Sequence, residues 1–248
     1  MDIIVRQAVA RAITTMQDNL GDRLTIDDLA RAAMFSKFHF TRIFLRATGL
    51  SPGRFLSALR LAEAKRLLVT TGISVADISH QVGYNSVGTF SARFSGSVGH
   101  SPSAYRQLRG RCPEIAERAE EPASEASLRG HVRCTRGADC GPVFLGLFPA
   151  KITEGHPGRH AILSGPGTYA LTDVPTGCWY VIAHAFGSLA EERVARPFVG
   201  VSGPVTVGRG VSGGVVDVGL RPRHGFDPPV LLAIPDLRES VTRRAIAV

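Results

Sequence analysis

Cysteine and tryptophan are scarce, with four Cys and one Trp in 248 residues. Cys112, Cys134, Cys140 and Cys178 include no C-x-x-C pair, so the usual zinc-ribbon spacing is missing. His131 stands three residues before Cys134, and Cys140 six after it, which leaves three options: a weak metal site, a redox-active Cys134–Cys140 disulfide, or idle thiols. No apolar run is long enough to span a bilayer, and no signal-peptide pattern opens the chain. A phosphate-cradling loop, a nucleophile elbow and a metal-ligand helix are all missing. The glycine-rich GRGVSGG at 208–214 lacks a terminal Lys-Ser/Thr and reads as a turn. Residues 129–235 offer no paired base and nucleophile. These gaps predict a cytoplasmic protein that is not an enzyme, with no catalytic residues, no cofactor, no metal and no membrane contact.

Positive charge is present, and unevenly. Residues 1–109 carry 14 Lys+Arg against 7 Asp+Glu, whereas the remaining 139 carry 15 against 14. Nearly all of the formal +8 therefore lies in the first part of the chain. Such a patch attracts a phosphate backbone and makes affinity depend on salt. Charge alone does not separate DNA from RNA or acidic lipid.

A repeat occupies the same region. Leu29, Ala33 and Phe35 recur as Ile78, Val82 and Tyr84 at a spacing of 49. Phe40, Phe44, Gly49, Ser51-Pro52 and Phe55 recur as Phe90, Phe94, Gly99, Ser101-Pro102 and Tyr105 at 50. Apolar anchors that repeat with one slip at a turn indicate one supersecondary unit built twice. In the first copy Thr25 is an N-cap with Asp28 three residues on, and Ile26, Leu29, Ala30 and Ala33 fall at helical spacing. Met34-Phe35-Ser36 is a tight turn. Ser36 then caps a second helix with Phe40, Ile43, Phe44 and Ala47 buried and Gly49 as its stop. In the second copy Ser74 caps with Asp77 three on, Gly83-Tyr84-Asn85 turns, Ser86 caps, and Gly99 ends the helix. Two short helices joined by about three residues form a helix-turn-helix, whose second helix enters a major groove. A plain helical bundle is the alternative, but it does not require the same capping grammar twice.

A helix over 52–71 separates the copies, capped by Ser51, with Pro52 at its first position and Phe55, Leu56, Leu59, Ala62, Leu67 and Leu68 as its apolar set. About 20 residues at roughly 1.5 Å each give a rod of about 30 Å, close to one turn of B-DNA. It can brace two recognition helices, fill a core between them, or do both. Another helix over 3–20 places Val5, Val9, Ala12, Ile13, Met16 and Leu20 on one side.

From Leu24 to Arg106 the text LTIDDLARAAMFSKFHFTRIFLRATGLSPGRFL…SVADISHQVGYNSVGTFSARFSGSVGHSPSAYR resembles the DNA-binding domain of the AraC/XylS family of bacterial transcription regulators. The VGY turn, the F-x-x-x-F that follows, the G-x-S-P and the Y-R carry the resemblance, which covers about a third of the chain. It implies sequence-specific binding to double-stranded promoter DNA, contact with RNA polymerase, and a bacterial location on the nucleoid when bound. Better-known members place their sensing domain ahead of the DNA-binding one, and here that order is reversed.

On the first recognition helix Lys37, Phe38, His39, Thr41 and Arg42 lie away from the buried anchors and are the expected base readers. Arg42 can fork onto guanine O6 and N7, and Phe38 can meet a thymine methyl. Ser36 and Arg46 are expected at phosphate. A solvated basic face is the alternative for Arg42, Lys37 and His39. On the second helix the positions matching Arg42 and Phe38 are Ala92 and Gly88. The family often has arginine at the Ala92 position, so this is a departure. Val87, Gly88 and Ser91 remain as base-facing candidates, with Ser86, Thr89 and Arg93 at phosphate and, beyond the helix, Arg106; Arg93, one residue on from Ala92, has the alternative of compensating for it. The first unit is therefore expected to specify, and the second mainly to position.

The remainder reads as a second domain. Residues 110–127, with Glu114, Glu117, Glu120, Glu121 and Glu125, form an acidic linker. Short apolar runs at 128–134, 143–148, 169–172, 179–186, 205–207 and 215–220, punctuated by Gly and Pro, predict a β-sandwich over 128–235. Residues 167–186, GTYALTDVPTGCWYVIAHAF, resemble a hairpin of carboxypeptidase-regulatory-like and transthyretin-like sandwiches. Tyr169, Trp179 and Tyr180 either pack the core or line a ligand pocket. The tail 236–248 is either a short helix, with Leu237, Val241 and Ile246 toward a partner, or frayed. The expected architecture is an N-terminal all-α tandem helix-turn-helix domain (1–109, units 24–48 and 74–98) followed by a β-sandwich for a small-molecule effector, a protein partner or assembly. Both a monomer and a homodimer fit. An architectural DNA binder with little sequence choice, and a β-domain sensor or docking protein tethered to DNA, are the rival functions.

Overall fold

The computed structural model describes residues 2–116, 126–135, 140–186, 197–208, 214–237 and 240. They fall into two compact units, Met1–Gly110 with His224–Leu231, and Arg111–Arg223 with Leu232–Val248.

The first unit contains α1 (Ile3–Asp18), α2 (Ile26–Ala33), α3 (Lys37–Thr48), α4 (Pro52–Thr70), α5 (Val75–Gln81), α6 (Val87–Val98) and α7 (Pro102–Gln107). Local signals in the sequence set the ends of these helices. Thr25 and Asp28 close a reciprocal capping box on α2, and Ser51, Ser74, Ser86 and Ser101 each accept a first-turn amide. Gly49 and Gly99 stop α3 and α6 in the left-handed conformation. Ser36 stands at the N-cap of α3, but its hydroxyl makes no capping bond, unlike its counterpart Ser86. The first helix ends at Asp18, two residues earlier than expected, with Asn19 as its C-cap.

Aromatic rings repeat the pattern inside the core. Phe40 meets Phe44 at 5.4 Å, and Phe44 meets Phe55 edge-on at 5.4 Å. Phe90, Phe94 and Tyr105 do the same at 5.6 and 5.7 Å. Such pairs add about 0.5–1.5 kcal/mol each beyond area burial. The buried stripe of α4 differs from the expected one. Phe55, Leu56, Leu67 and Leu68 are buried, but Ala58, Leu61 and Ala64 fill its middle, and Leu59 and Ala62 are only half-buried. Likewise Thr48, not Ala47, completes the buried side of α3. Its one hydroxyl proton has the carbonyls of Phe44 and Leu50 within reach, and its oxygen accepts from the amide of Leu50, which satisfies it there.

Residues 224–231, assigned from sequence to the strand domain, group instead with the helices. Lys65 Nζ donates to the carbonyls of Val230 and Leu231 at 3.1 and 2.8 Å, and Arg6 lies over the Phe226 ring. The two convergent carbonyls, with the Tyr105 ring 5.6 Å away, replace part of the water the ammonium loses.

The second unit has β1 (Leu128–Cys134), β2 (Val143–Phe148), β3 (His160–Leu163), β4 (Gly167–Leu171), β5 (Gly177–Ala185), β6 (Phe198–Val207) and β7 (Val218–Pro222). It is β-rich as expected, but the ladder differs from two separate layers. The strands run in one order, β3-β2-β5-β6-β7-β1-β4, and the end strands β3 and β4 touch, so the sheet nearly closes. The joint is narrow, because β6 and β7 pair only through Phe198↔Pro222 and Val199↔Arg221. Strand β1 packs tightly there, and a Cβ on Gly130 would overlap the Val216 carbonyl. Alternate residues of β2 and β5 go to opposite faces. Val143, Leu145, Leu147, Val181 and Ala183 join the main core with Tyr169 and Trp179, which settles those two aromatics as core residues. Phe144, Phe148 and Ile182 are covered by Ile115, Leu232 and Leu237. Ile115, expected in the linker, is thus part of a core, while residues 117–125 of that linker, 209–213 of the glycine-rich turn and 241–248 of the tail lie outside the described residues.

Candidate nucleic-acid interface

Helix α3 separates its faces cleanly. At 100° per residue, taking Phe38 as zero, Leu45 falls at about −20°, Arg42 at about +40°, Thr41 at about −60° and Arg46 at about +80°. Phe40, Ile43 and Phe44 lie on the opposite side and are buried. The outward arc is open: Phe38 is 89% exposed and Leu45 49% exposed, and Arg42 and Arg46 are exposed as well. Arg42 pairs with no carboxylate among the described residues. Its five donors are therefore available to a base edge.

The flanks of the arc are held in place. Lys37 Nζ sits 3.1 Å from Asp27 Oδ2, tying the start of α3 to α2. His39 is half-buried and stacks on Phe35 at 4.9 Å. Thr41 Oγ1 donates to the Lys37 carbonyl. Both members of the pair Lys37–Asp27 are about half exposed, so the ion pair itself contributes little, and its effect is orientation.

The turns that aim α3 and α6 are alike in backbone and unlike in residue. Met34 adopts φ 62 and Gly83 φ 82 at corresponding positions. A Cβ on Gly83 would come within 2.6 Å of the Leu20 carbonyl and 2.8 Å of the Arg60 guanidinium, so only glycine fits the second turn.

On α6, Phe90, Phe94, Ser97 and Val98 face inward. Gly88, Thr89, Ala92 and Gly96 are exposed, Ser86 is exposed, and Val87 and Ser91 are half-buried. The three basic residues of α3, Lys37, Arg42 and Arg46, are matched here by Val87, Ala92 and Gly96. Arg93 is exposed but occupies the register of Ile43, about 140° from the Phe38 direction and away from the outward arc. The contrast between the helices is thus larger than the Ala92 departure alone implied.

Several cations counted toward the basic patch turn inward. Arg11 donates to the carbonyls of Ala32 and Ala33 at the end of α2. Arg60 donates to Leu20 O at 2.9 Å and Asp22 O at 2.7 Å, and burial pulls its pKa below the usual guanidinium value. Arg106, expected at phosphate, donates to Leu68 O at 3.2 Å and Ile73 O at 2.6 Å, so those donors staple α7 to the α4–α5 connection. Leu45, seven residues from Phe38 and not singled out from the sequence, shares the exposed arc of α3.

Elsewhere, Cys134 and Cys140 are placed in a disulfide, Cys112 is buried and Cys178 exposed. Among the described residues no group of three or more His, Cys, Asp or Glu side chains is arranged to hold a metal, and no helix is long and apolar enough to cross a membrane.

A basic helical unit that presents one charged recognition helix on a capped helix pair defines a helix-turn-helix DNA-binding protein. Residues 29–108 match the family model described as a helix-turn-helix domain. The chain is 33% identical over 98 residues to the HTH-type transcriptional activator AarP of Providencia stuartii, covering 40% of this chain and 73% of that protein. It is 31% identical over 103 residues to the lactose operon transcription activator of Staphylococcus xylosus, covering 42% of this chain and 37% of that protein. A solved AraC-type DNA-binding regulator from Chromobacterium violaceum has 27% identity, covers 42% of this chain and 93% of its own, and superposes with a TM-score of 0.41. The chain belongs to the helix-turn-helix transcription regulators. It spans nearly three quarters of the first relative but little more than a third of the second.

Proposed function

We propose that this protein regulates transcription by reading promoter DNA with α3 while α6 sets position on the duplex. The observation that carries this reading is the contrast between two equivalent helices. One bears Phe38, Arg42 and Arg46 on an exposed arc, and the other bears Gly88, Ala92 and Gly96 in the same register. The two pairs, α2–α3 and α5–α6, act as tandem helix-turn-helix units on the rod α4, whose 19 residues span about 28 Å. Arg42 reads guanine through its fork, and Phe38 meets a thymine methyl. Lys37, Thr41 and His39 frame that contact. Val87, Gly88 and Ser91 lie along the second groove. Ser36, Arg46, Ser86, Thr89 and Arg93 supply phosphate contacts. Contact with RNA polymerase, an effector or protein partner at the strand unit, and action as a monomer or homodimer complete the proposal, in a bacterial cytoplasm.

The test compares the full chain's affinity for a duplex selected from a random pool with its affinity for unselected duplex, across salt. Specific regulators exceed their own non-specific binding by about 10³–10⁷. A ratio of that order supports promoter reading. A ratio near one at every salt concentration identifies the rival, an architectural binder with little sequence choice.

A further inference from the structure

We infer that Leu45 is a second apolar base reader on α3, so that the protein recognises two thymine methyls flanking the guanine read by Arg42. This deepens the proposed promoter reading and rests on it. Leu45 is a large aliphatic side chain left 49% exposed, whereas the other large aliphatic of α3, Ile43, is buried. Its backbone carbonyl caps the helix end by accepting from the Gly49 amide, so its place on the helix is fixed while its side chain stays open. Its direction differs from that of Phe38 by only about 20°, with Arg42 between the two along the sequence and within about 60° of arc from Leu45. Seven residues separate Phe38 from Leu45, a rise of about 10.5 Å. An exposed stripe that reads aromatic, guanidinium, aliphatic is poorly suited to phosphate, since only the middle group carries charge. In the major groove the one apolar base feature is the thymine C5-methyl. The matching residue on α6 is Ser95, whose hydroxyl donates to the Ser91 carbonyl, so the device belongs to the first recognition helix alone.

The test uses the full chain and its selected duplex, with each thymine replaced singly by deoxyuridine, which removes only the methyl. Burying one methyl-sized group contributes about 0.8 kcal/mol, or roughly a fourfold change in affinity. The wild type should lose about fourfold at two thymines on either side of one guanine. Leu45→Ala should abolish sensitivity at one of them and leave the other, and Phe38→Ala should do the converse. Leu45 is exposed, so alanine there leaves the fold intact, which thermal unfolding of the variant checks. Unchanged uridine sensitivity at every position in Leu45→Ala overturns the Leu45 assignment and leaves promoter reading standing. Failure of the wild type to prefer any duplex overturns promoter reading, and the Leu45 role with it.

Discussion

Arg42→Ala is the substitution that separates base reading from mere attraction to DNA. The side chain is exposed, has no carboxylate partner among the described residues, and lies on the open arc of α3 about 40° from the Phe38 direction. Removing it should leave stability within about 0.5 kcal/mol, because no buried group loses a partner. A bidentate arginine–guanine contact contributes about 1–3 kcal/mol of discrimination, so affinity for the preferred duplex should fall roughly 5- to 150-fold. Affinity for random duplex should fall far less, because one cation among several contributes little to the non-specific term. Competition binding with the preferred duplex and its single-base variants measures both quantities. At the guanine read by Arg42, the variant should accept all four bases with similar affinity. A uniform loss across all sequences, with the base preference at that position intact, would place Arg42 on phosphate and refute the argument. A fall in melting temperature of several degrees would show instead that the side chain supports the fold.

Further outcomes follow from the inward-turned side chains and the caps. Arg106→Ala should lower stability by about 0.5–1.5 kcal/mol through loss of the hydrogen bonds to the Leu68 and Ile73 carbonyls, with no change in the salt dependence of DNA binding by the folded protein; denaturant unfolding and a salt titration read the two effects. Gly83→Ala should cost about 1–2 kcal/mol or more, since φ 82 and the Leu20 carbonyl both oppose a Cβ, whereas Met34→Gly at the matching turn should be neutral or stabilising in the same thermal assay. Thr25→Ala should cost about 1 kcal/mol through the lost capping box. Hydrogen bonds from Thr25 hold the Asp28 carboxyl below its usual value of 3.8. A carboxylate lowered in the folded state stabilises above its unfolded pKa, and that contribution disappears as pH falls through the folded value. The difference between wild type and Thr25→Ala should therefore be full at neutral pH and shrink below about pH 4, which pH-dependent unfolding measures.

The helical unit was legible because its determinants are local. Thr25, Ser51, Ser74 and Gly49 act within one turn of where they stand, and the paired phenylalanines bury themselves by spacing alone. Helix α4 was placed correctly in length but not in its buried stripe, because it is enclosed on more than one side and small residues such as Ala58 and Ala64 carry the closest packing. The inward turn of Arg60 and Arg106 was not legible, since their carbonyl partners lie 33 to 40 positions away and only the tertiary fold brings them near. For the same reason charge counting overstated the cations available to DNA. Residues 224–231 carry no periodicity, and their place among the helices is set by Lys65, 165 and 166 positions away from its carbonyl partners. In the strand unit β1 and β2 were read with correct ends. The four-residue β3 was too short to register, and β6 was shortened because Gly203-Pro204 inside it looks like a turn. The exposed face of α3 was legible by elimination of its buried anchors, and the exposure of Leu45 was not, because leucine is ordinarily read as a core residue.

Selection of bound sites from random DNA by the full chain, with information content resolved position by position, addresses the unequal twin helices most directly. Two sequence blocks separated by about one helical turn, one rich in information and the other poor, with the rich block flattened by Arg42→Ala and neither block altered by Arg93→Ala, is the expected result. Two blocks of equal information, or a single continuous block untouched by Arg42→Ala, would contradict it.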